Sequence, residues 1–131
     1  MIAEDYVNFK IAKLLRDKGF DEPCKAVYEE EVLRINTLCD YYNSELSSYV
    51  CAPTHQMAMK WLREVHNIFI SIVPSEVAIG VMNYTYVLYK IDIKNSHFTN
   101  LSIQGKGNNT NKISYGEAVE AAIEYVLENI I

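Results

Sequence analysis

The sequence predicts an α+β fold in which three helices pack on a small, mainly antiparallel sheet, in the order α-β-β-α-β-β(-β)-α. Three amphipathic segments place apolar residues three and four positions apart, which is the spacing of one helix face. Short runs rich in β-branched and aromatic residues lie between these segments and favour strands. The 131 residues, half of them hydrophobic, fit a single domain that covers residues 1–131.

The first helix is predicted over residues 2–18. Gly19 follows it, where a left-handed residue commonly ends a helix, and Pro23 prevents any continuation. The apolar face of this helix consists of Ala3, Val7, Ile11, Leu14 and Leu15.

A hairpin is predicted over residues 24–35, because two β-rich runs flank three consecutive acids, Glu29, Glu30 and Glu31. We expect the chain to turn at these acids, although they lack the Gly or Asn that the tightest hairpin turns prefer. Residues 37–50 are polar and mixed, so we expect the end of a strand and then a surface loop.

The second and third helices both begin at a predicted capping residue. The hydroxyl of Thr54 can accept a backbone N–H at the start of the second helix, which we expect to end near His66. Ser114 and Glu117 form the capping-box pattern of the third helix, in which each residue satisfies a backbone donor of the other. The buried stripe of the third helix is predicted to be Ala118, Val119, Ala122, Ile123, Val126 and Ile130.

The region between these two helices contains the remaining strands. Isoleucines alternate with other residues over residues 68–73, which indicates a buried strand that ends at Pro74. Residues 77–81 start another strand, and residues 84–93 are dense in aromatic and β-branched residues, so an antiparallel hairpin is expected. Residues 94–112 are rich in Gly and Asn, and we predict a mobile loop there.

The composition excludes several classes of function. A net charge of -5 and a pI near 5.1 oppose binding to a phosphate backbone, and no basic patch offsets them. The amino end lacks the basic and apolar regions of a secretory signal, and no apolar run is long enough to span a bilayer. Three cysteines cannot form a complete disulfide framework, so we expect reduced thiols and a cytoplasmic protein.

Cys51 and His55 are the residues that a metal site or a small thiol enzyme would use. They place a thiol and an imidazole near the start of the second helix. Zinc sites usually combine two closely spaced ligand pairs, and the sequence contains no CxxC or HxxxH motif. Buried thiols and surface histidines therefore fit better, and we expect no cofactor and no bound metal.

Two groups of charged side chains are candidate binding surfaces. Arg63 and His66 lie off the apolar stripe of the second helix. Glu120, Glu124 and Glu128 form an acid ladder with a spacing of four residues, and like charges at that spacing destabilise a helix. Three explanations are open: a basic partner binds the ladder, lysines of the same fold neutralise it, or the helix tolerates the repulsion. Without a partner, changing Glu120 and Glu124 to Gln is expected to raise thermal stability.

Three segments carry a resemblance to known sequences. They are residues 2–24; residues 52–66, which read APTHQMAMKWLREVH; and residues 115–130 with a Glu-Ala-x-Glu-Ala-Ala pattern. In these segments the chain resembles a group of short proteins, without an assigned activity, from anaerobic gut bacteria and their phages or mobile elements. The resemblance implies a bacterial or phage origin and a cytoplasmic setting, and it brings no catalytic residue.

These observations lead to one expected function and two alternatives. We expect a small, non-catalytic binding or regulatory module of an accessory gene, with a protein partner. The alternatives are a metal-binding protein or enzyme that uses Cys51 and His55, and a nucleic-acid-binding protein, which the charge makes less favourable. A short sheet leaves unpaired edges, so a homodimer through a strand edge or a tyrosine-rich face is a further expectation.

Overall fold

The computed structural model describes residues 2–101 and 113–131 and confirms the predicted α+β class and element order. The helices in these ranges are α1 (Phe9–Asp17), α2 (His55–His66) and α3 (Tyr115–Asn129). The strands are β1 (Ala26–Glu29), β2 (Val32–Ile35), β3 (Val50–Cys51), β4 (Ile68–Ala78), β5 (Val81–Asp92) and β6 (His97–Asn100). The strands form two antiparallel three-stranded sheets, in the orders β2-β1-β3 and β4-β5-β6.

Helix α1 is shorter than predicted, because it begins at Phe9 and not near residue 2. The side chain of Asn8 caps it by accepting a hydrogen bond of 2.8 Å from the Ile11 N–H. The residue before the cap is held outside the helix, since Val7 N–H donates to the Pro53 carbonyl at 3.0 Å. A long-range backbone contact therefore overrides the apolar periodicity of the first residues.

The first sheet contains the predicted hairpin and one strand that was not predicted. Glu30 and Glu31 form the turn with φ angles of 49° and 68°, so two non-glycine residues adopt the left-handed conformation of a tight hairpin turn. The predicted surface loop of residues 37–50 contains a short 3-10 helix, Asn43–Glu45, and leads into β3. Strand β3 pairs with β1, which makes β1 the central strand.

The second sheet differs from the prediction at Pro74. Strand β4 continues through Pro74 to Ala78, where the sequence indicated an end. Pro74 lies opposite Tyr84, whose N–H points away from β4 and donates to the Ile113 carbonyl at 3.3 Å. The ladder therefore needs no donor from Pro74, and a proline is tolerated in this strand at the edge of the described sheet.

The predicted loop of residues 94–112 is only partly a loop. Its first part contains β6, which pairs with β5 from Asp92 opposite His97 to Tyr89 opposite Asn100. The rest of the predicted mobile loop, residues 102–112, lies outside the described residues. A strand of four residues in a polar stretch of sequence has too little pattern to be separated from a loop.

One hydrophobic core joins both sheets and the three helices. Helix α2 contacts β4, and α3 contacts β4, β5, α1 and α2. The largest fully buried side chains are Phe20, Ile11, Leu15, Leu62, Ile68, Leu88, Ile123, Leu127, Val7, Val119, Val126 and Cys51. In the described ranges, no helix combines the length and the apolar character that crossing a membrane requires.

Candidate binding groove on the second sheet

The two faces of the second sheet are defined by the strand register. Phe69 lies opposite Tyr89, and Ile91 lies opposite Phe98. Neighbouring side chains of a strand point to opposite faces, so these four residues share one face and Leu88 lies on the other. We call the face of Phe69, Tyr89, Ile91 and Phe98 the outer face, and the face of Leu88 the inner face.

The outer face exposes aromatic rings to solvent. Phe69 is 39% exposed and Phe98 is 63% exposed, whereas Leu88 is fully buried. The centroids of the Tyr89 and Phe98 rings are 5.6 Å apart and the ring planes meet at 80°. The Phe69 and Tyr89 centroids are 6.3 Å apart. The rings therefore form one connected aromatic surface. Neither α2 nor α3, the two helices that contact this sheet, covers it.

These rings form the floor of an open groove of about 510 Å³. One end of the groove lies at the turn between β5 and β6, where several of the lining residues are of polar type. The lining consists of Phe69, Tyr89, Ile91, Asp92, Ile93, Ser96, His97 and Phe98. A mainly apolar groove with a few polar groups at one end has the composition of a ligand or partner site.

Asp92 holds the turn between β5 and β6, and the register that places Ile91 on the outer face places the Asp92 side chain on the inner face. Its two carboxylate oxygens accept hydrogen bonds from the backbone N–H of Asn95 at 3.3 Å and from the Asn95 side chain at 2.8 Å. These hydrogen bonds lower the pKa of Asp92 below its ordinary value, because they favour the ionised carboxylate. The carboxylate is therefore charged at neutral pH.

The groove contains an Asp, a His and a Ser, but they do not form a catalytic relay. Within the described contacts, no hydrogen bond joins Ser96 to His97 or His97 to Asp92, and both Asp92 oxygens accept from Asn95. Activation of a serine nucleophile requires a hydrogen-bonded base that a third group orients. Among the described residues, the arrangement offers a mainly apolar surface and no activated nucleophile.

The predicted surface on α2 is not part of the groove. Arg63 is exposed and forms no ion pair with a described residue. The His66 ring packs edge-on against Trp61 with centroids 4.7 Å apart. Burial and the nearby Lys90 ammonium lower the pKa of His66, and Lys90 also donates to the His66 carbonyl at 3.1 Å. The two residues therefore differ, since Arg63 faces solvent and His66 belongs to the packing.

The acid ladder of α3 faces α1. Lys10 forms ion pairs with Glu124 and with Glu128, the latter at 3.1 Å, and these raise the pKa of Lys10. The Glu120 carboxylate accepts a hydrogen bond of 3.2 Å from Asn8 N–H, and its other oxygen lies 3.6 Å from His55 Nε2. A lysine of the same fold thus balances the ladder in part, which is one of the three explanations that the sequence left open.

Cys51 and His55 are buried, and their contacts are with different neighbours. The thiol of Cys51 contacts the buried thiol of Cys24; this contact and burial raise the pKa of Cys24. His55 Nε2 has no hydrogen-bond partner and faces Glu120. Among the described residues, no three His, Cys, Asp or Glu side chains come together in a group that could hold a metal ion.

The sequence analysis named none of the groove residues as a site residue, although Ser96, His97 and Phe98 lie in the predicted loop of residues 94–112, which was a candidate location for function. One signal was present: apolar residues on both alternating positions of β4, since Ile68 and Ile70 flank Phe69, and Phe69 and Val73 share the second face. A strand that is apolar on both faces is typical of burial between two layers. Only the structure shows that helices cover one face of this strand and leave the other face exposed.

No protein-family model, curated protein or solved structure matches this chain. The resemblance to short proteins of gut bacteria and their phages therefore stays an expectation from sequence, and so do the single domain and the homodimer. The candidate site depends entirely on the geometry of the chain itself.

Proposed function

We propose that this protein is a non-catalytic binding module, and that its groove receives the apolar side chains of a protein partner. The observation that carries the proposal is the exposed aromatic surface of the second sheet, with Phe98 63% exposed beside Tyr89 and Phe69. Aromatic side chains are enriched at the centres of protein interfaces, where charged residues are depleted. A cluster of exposed apolar side chains on a folded surface is a common feature of interaction sites.

The open shape of the groove favours a protein segment over an enclosed small molecule. Ile93 and Phe98 both line the groove and are 74% and 63% exposed. A small ligand that contacts only part of the groove would leave much of these side chains in water. A partner segment that crosses the groove would cover both of them.

The expected energy of such a contact is sufficient for a transient complex. Covering one large apolar side chain contributes roughly 1.5 to 3 kcal/mol when it passes from full exposure to full burial. Phe98, Ile93 and Phe69 are only partly exposed, so each contributes less than that range. The costs of association reduce the sum, and we expect an affinity in about the micromolar range.

Selection from a library of displayed random heptapeptides tests the proposal. The immobilised wild-type protein is used to enrich sequences, and the enriched peptides are then synthesised and titrated against wild type and Phe98→Ser. We expect micromolar binding to wild type and at least roughly a tenfold loss in Phe98→Ser, because the largest exposed ring of the groove is removed.

The matched control is Leu38→Ser, which removes a side chain that is 92% exposed and does not line the groove. Peptide affinity should be unchanged in this control. If no sequence is enriched, or if Phe98→Ser binds the peptides as well as Leu38→Ser does, the groove is not the binding site. Sedimentation velocity of the unliganded wild type and of Phe98→Ser shows whether a second copy occupies the groove instead.

The cytoplasmic setting and the regulatory role belong to the same proposal. The three cysteines are free thiols, with Cys24 and Cys51 buried and Cys39 exposed, which supports a reducing compartment. A binding module without an activated nucleophile in its groove acts by occupying or recruiting its partner. We therefore propose regulation by association and not by chemical turnover.

A further inference from the structure

We infer that two copies of the chain form a symmetric dimer, in which their β4 strands pair antiparallel along the free edge with Ser71 at the two-fold axis. The two β4-β5-β6 sheets then join into one sheet of six strands. Of the described β4 residues, only Phe69 lines the groove. The edge is therefore a different surface, and the pairing does not depend on the proposed function.

The strand register shows which backbone groups of β4 lie on its free edge. Strand β4 is an outer strand of its sheet. Leu88, which lies opposite Ile70, turns its carboxyl oxygen away from β4 and accepts from the Leu101 N–H at 2.9 Å. Because bonded and non-bonded pairs alternate in an antiparallel ladder, the N–H and carbonyl groups of Ile70 and Ile72 point away from β5. In the described part of the chain, no backbone group pairs with them.

The run of β4 that can pair has a defined end on each side. Asn67 precedes the strand and ends α2 in the left-handed conformation, with a φ of 57°. Pro74 follows the run and has no N–H to donate. Residues 68–73, which read IFISIV, carry no charge, although charged residues are a common protection of strand edges against pairing. Ser71 is the middle residue of the stretch from Ile68 to Pro74, so symmetric pairing about Ser71 uses the whole run.

Pairing about Ser71 makes the strand complementary to itself. It places Ile70 of each copy opposite Ile72 of the other, so that the outward N–H and carbonyl groups meet in hydrogen-bonded pairs. The same register places Phe69 opposite Val73 on the outer face, and each of these side chains is 39% exposed. An aromatic residue opposite a β-branched one is a favourable cross-strand pair. A second copy thus covers both the exposed edge and the two exposed side chains.

Disulfide cross-linking tests the register. Ser71→Cys and Ser75→Cys are each made in a Cys39→Ser background, because Cys39 is the exposed cysteine. The two Ser71 Cα atoms form a non-hydrogen-bonded pair about 4.5 Å apart, which a disulfide can bridge. Ser75 lies four positions along the strand, so its two Cα atoms are roughly 26 Å apart. With oxidised glutathione as the oxidant, we expect a covalent dimer of Ser71→Cys and a monomer of Ser75→Cys on a non-reducing gel.

Sedimentation equilibrium tests the dimer without cross-linking. A contact of one strand is smaller than the interfaces of stable complexes, so we expect a dissociation constant on the order of 10 to 100 μM for wild type. Ser71→Lys places two ammonium groups opposite each other at the axis and should weaken the dimer roughly tenfold at low salt. Ser75→Lys adds the same charge on the same face of β4 and is the matched control. Thermal melts show that both variants are folded.

The outcomes separate the edge from the groove. A dimer that persists in Phe98→Ser and weakens in Ser71→Lys supports the edge pairing. A wild-type protein that is monomeric up to about 1 mM overturns it, and so does a Ser75→Cys variant that cross-links as readily as Ser71→Cys. A dimer that Ser71→Lys leaves intact also overturns it, and loss of that dimer in Phe98→Ser would place the second copy in the groove. Peptide binding to the groove is measured separately, so either proposal can fail without the other.

Discussion

The inner and outer faces of the second sheet are built from similar residues but have different surroundings. On the inner face, Ile68 and Leu88 are fully buried and Tyr86 is 7% exposed. On the outer face, Phe69 is 39% exposed and Phe98 is 63% exposed. Helices α2 and α3 contact this sheet, and the buried residues show that they cover the inner face. The difference teaches that residue type alone does not decide which apolar face becomes core.

The inner face is closed by a helix with small side chains. Ala118 and Ala122 of α3 are buried, and the stripe that faces the core is completed by Val119, Ile123, Val126 and Leu127. Small residues allow the helix axis to approach the sheet closely, and the branched residues fill the space between strands. The outer face has no equivalent layer among the described elements, so its rings remain available to a partner.

The largest expected effect comes from truncating the inner face. Leu88→Ala should lower the free energy of unfolding by about 2 to 5 kcal/mol, since it removes a fully buried side chain and leaves a cavity. Phe69→Ala on the outer face should cost less than about 1.5 kcal/mol, because the ring is already partly in water. Urea unfolding at one protein concentration gives both values. Equal losses for the two variants would mean that the outer face is also core.

A smaller effect concerns the contacts that hold α3 over the inner face. Glu120→Ala removes the acceptor of the Asn8 N–H and should lower the free energy of unfolding by about 1 kcal/mol. Glu64→Ala is the matched control, because its pair with Lys60 is exposed and 4.0 Å long, and we expect almost no change. Chemical denaturation of both variants checks this difference, and equal stability would show that the Glu120 contact is weak.

The structure also reverses an expectation from sequence about these acids. Replacing Glu120 and Glu124 by Gln was expected to relieve repulsion and raise the melting temperature. Glu124 forms an ion pair with Lys10, and Glu120 accepts from Asn8 and lies near His55. We now expect the double variant to melt at a lower temperature than wild type.

The smallest expected effect is the contribution of His66 to the pH dependence of the free energy of unfolding. Its folded-state pKa is lowered by burial and by Lys90, so the unfolded chain binds a proton more readily. The neutral form contributes stability above the unfolded pKa of about 6.5, and this contribution is lost as the pH falls from there through the folded pKa. Unfolding at pH 7.5 and 5.5 should show a smaller decrease for His66→Phe than for wild type. Parallel decreases would exclude this role.

Local signals in the sequence predicted the local structure. The Thr54 cap, the Ser114 capping box and the turn at Glu30 depend on neighbouring residues, and all three are present in the structure. The continuation of β4 through Pro74 and the existence of β6 depend on partner strands that are distant in sequence. Their positions follow from pairing and not from composition.

The candidate groove could not be predicted for a related reason. Phe69, Tyr89 and Phe98 come from three strands, and only the register brings their rings together. The alternating pattern showed that β4 is apolar on both faces but did not show which face α2 and α3 would cover. The pairing of Lys10 with the acid ladder likewise joins residues from opposite ends of the chain.

The central claim is that the outer face binds a partner and does not stabilise the fold. The measurement that tests it most directly combines the affinity of the library-selected peptides and the free energy of unfolding for one variant, Phe98→Ser. We predict that unfolding changes by less than about 1 kcal/mol while peptide binding is lost. Peptide binding at the wild-type affinity, or a loss of stability as large as that of Leu88→Ala, would contradict the account.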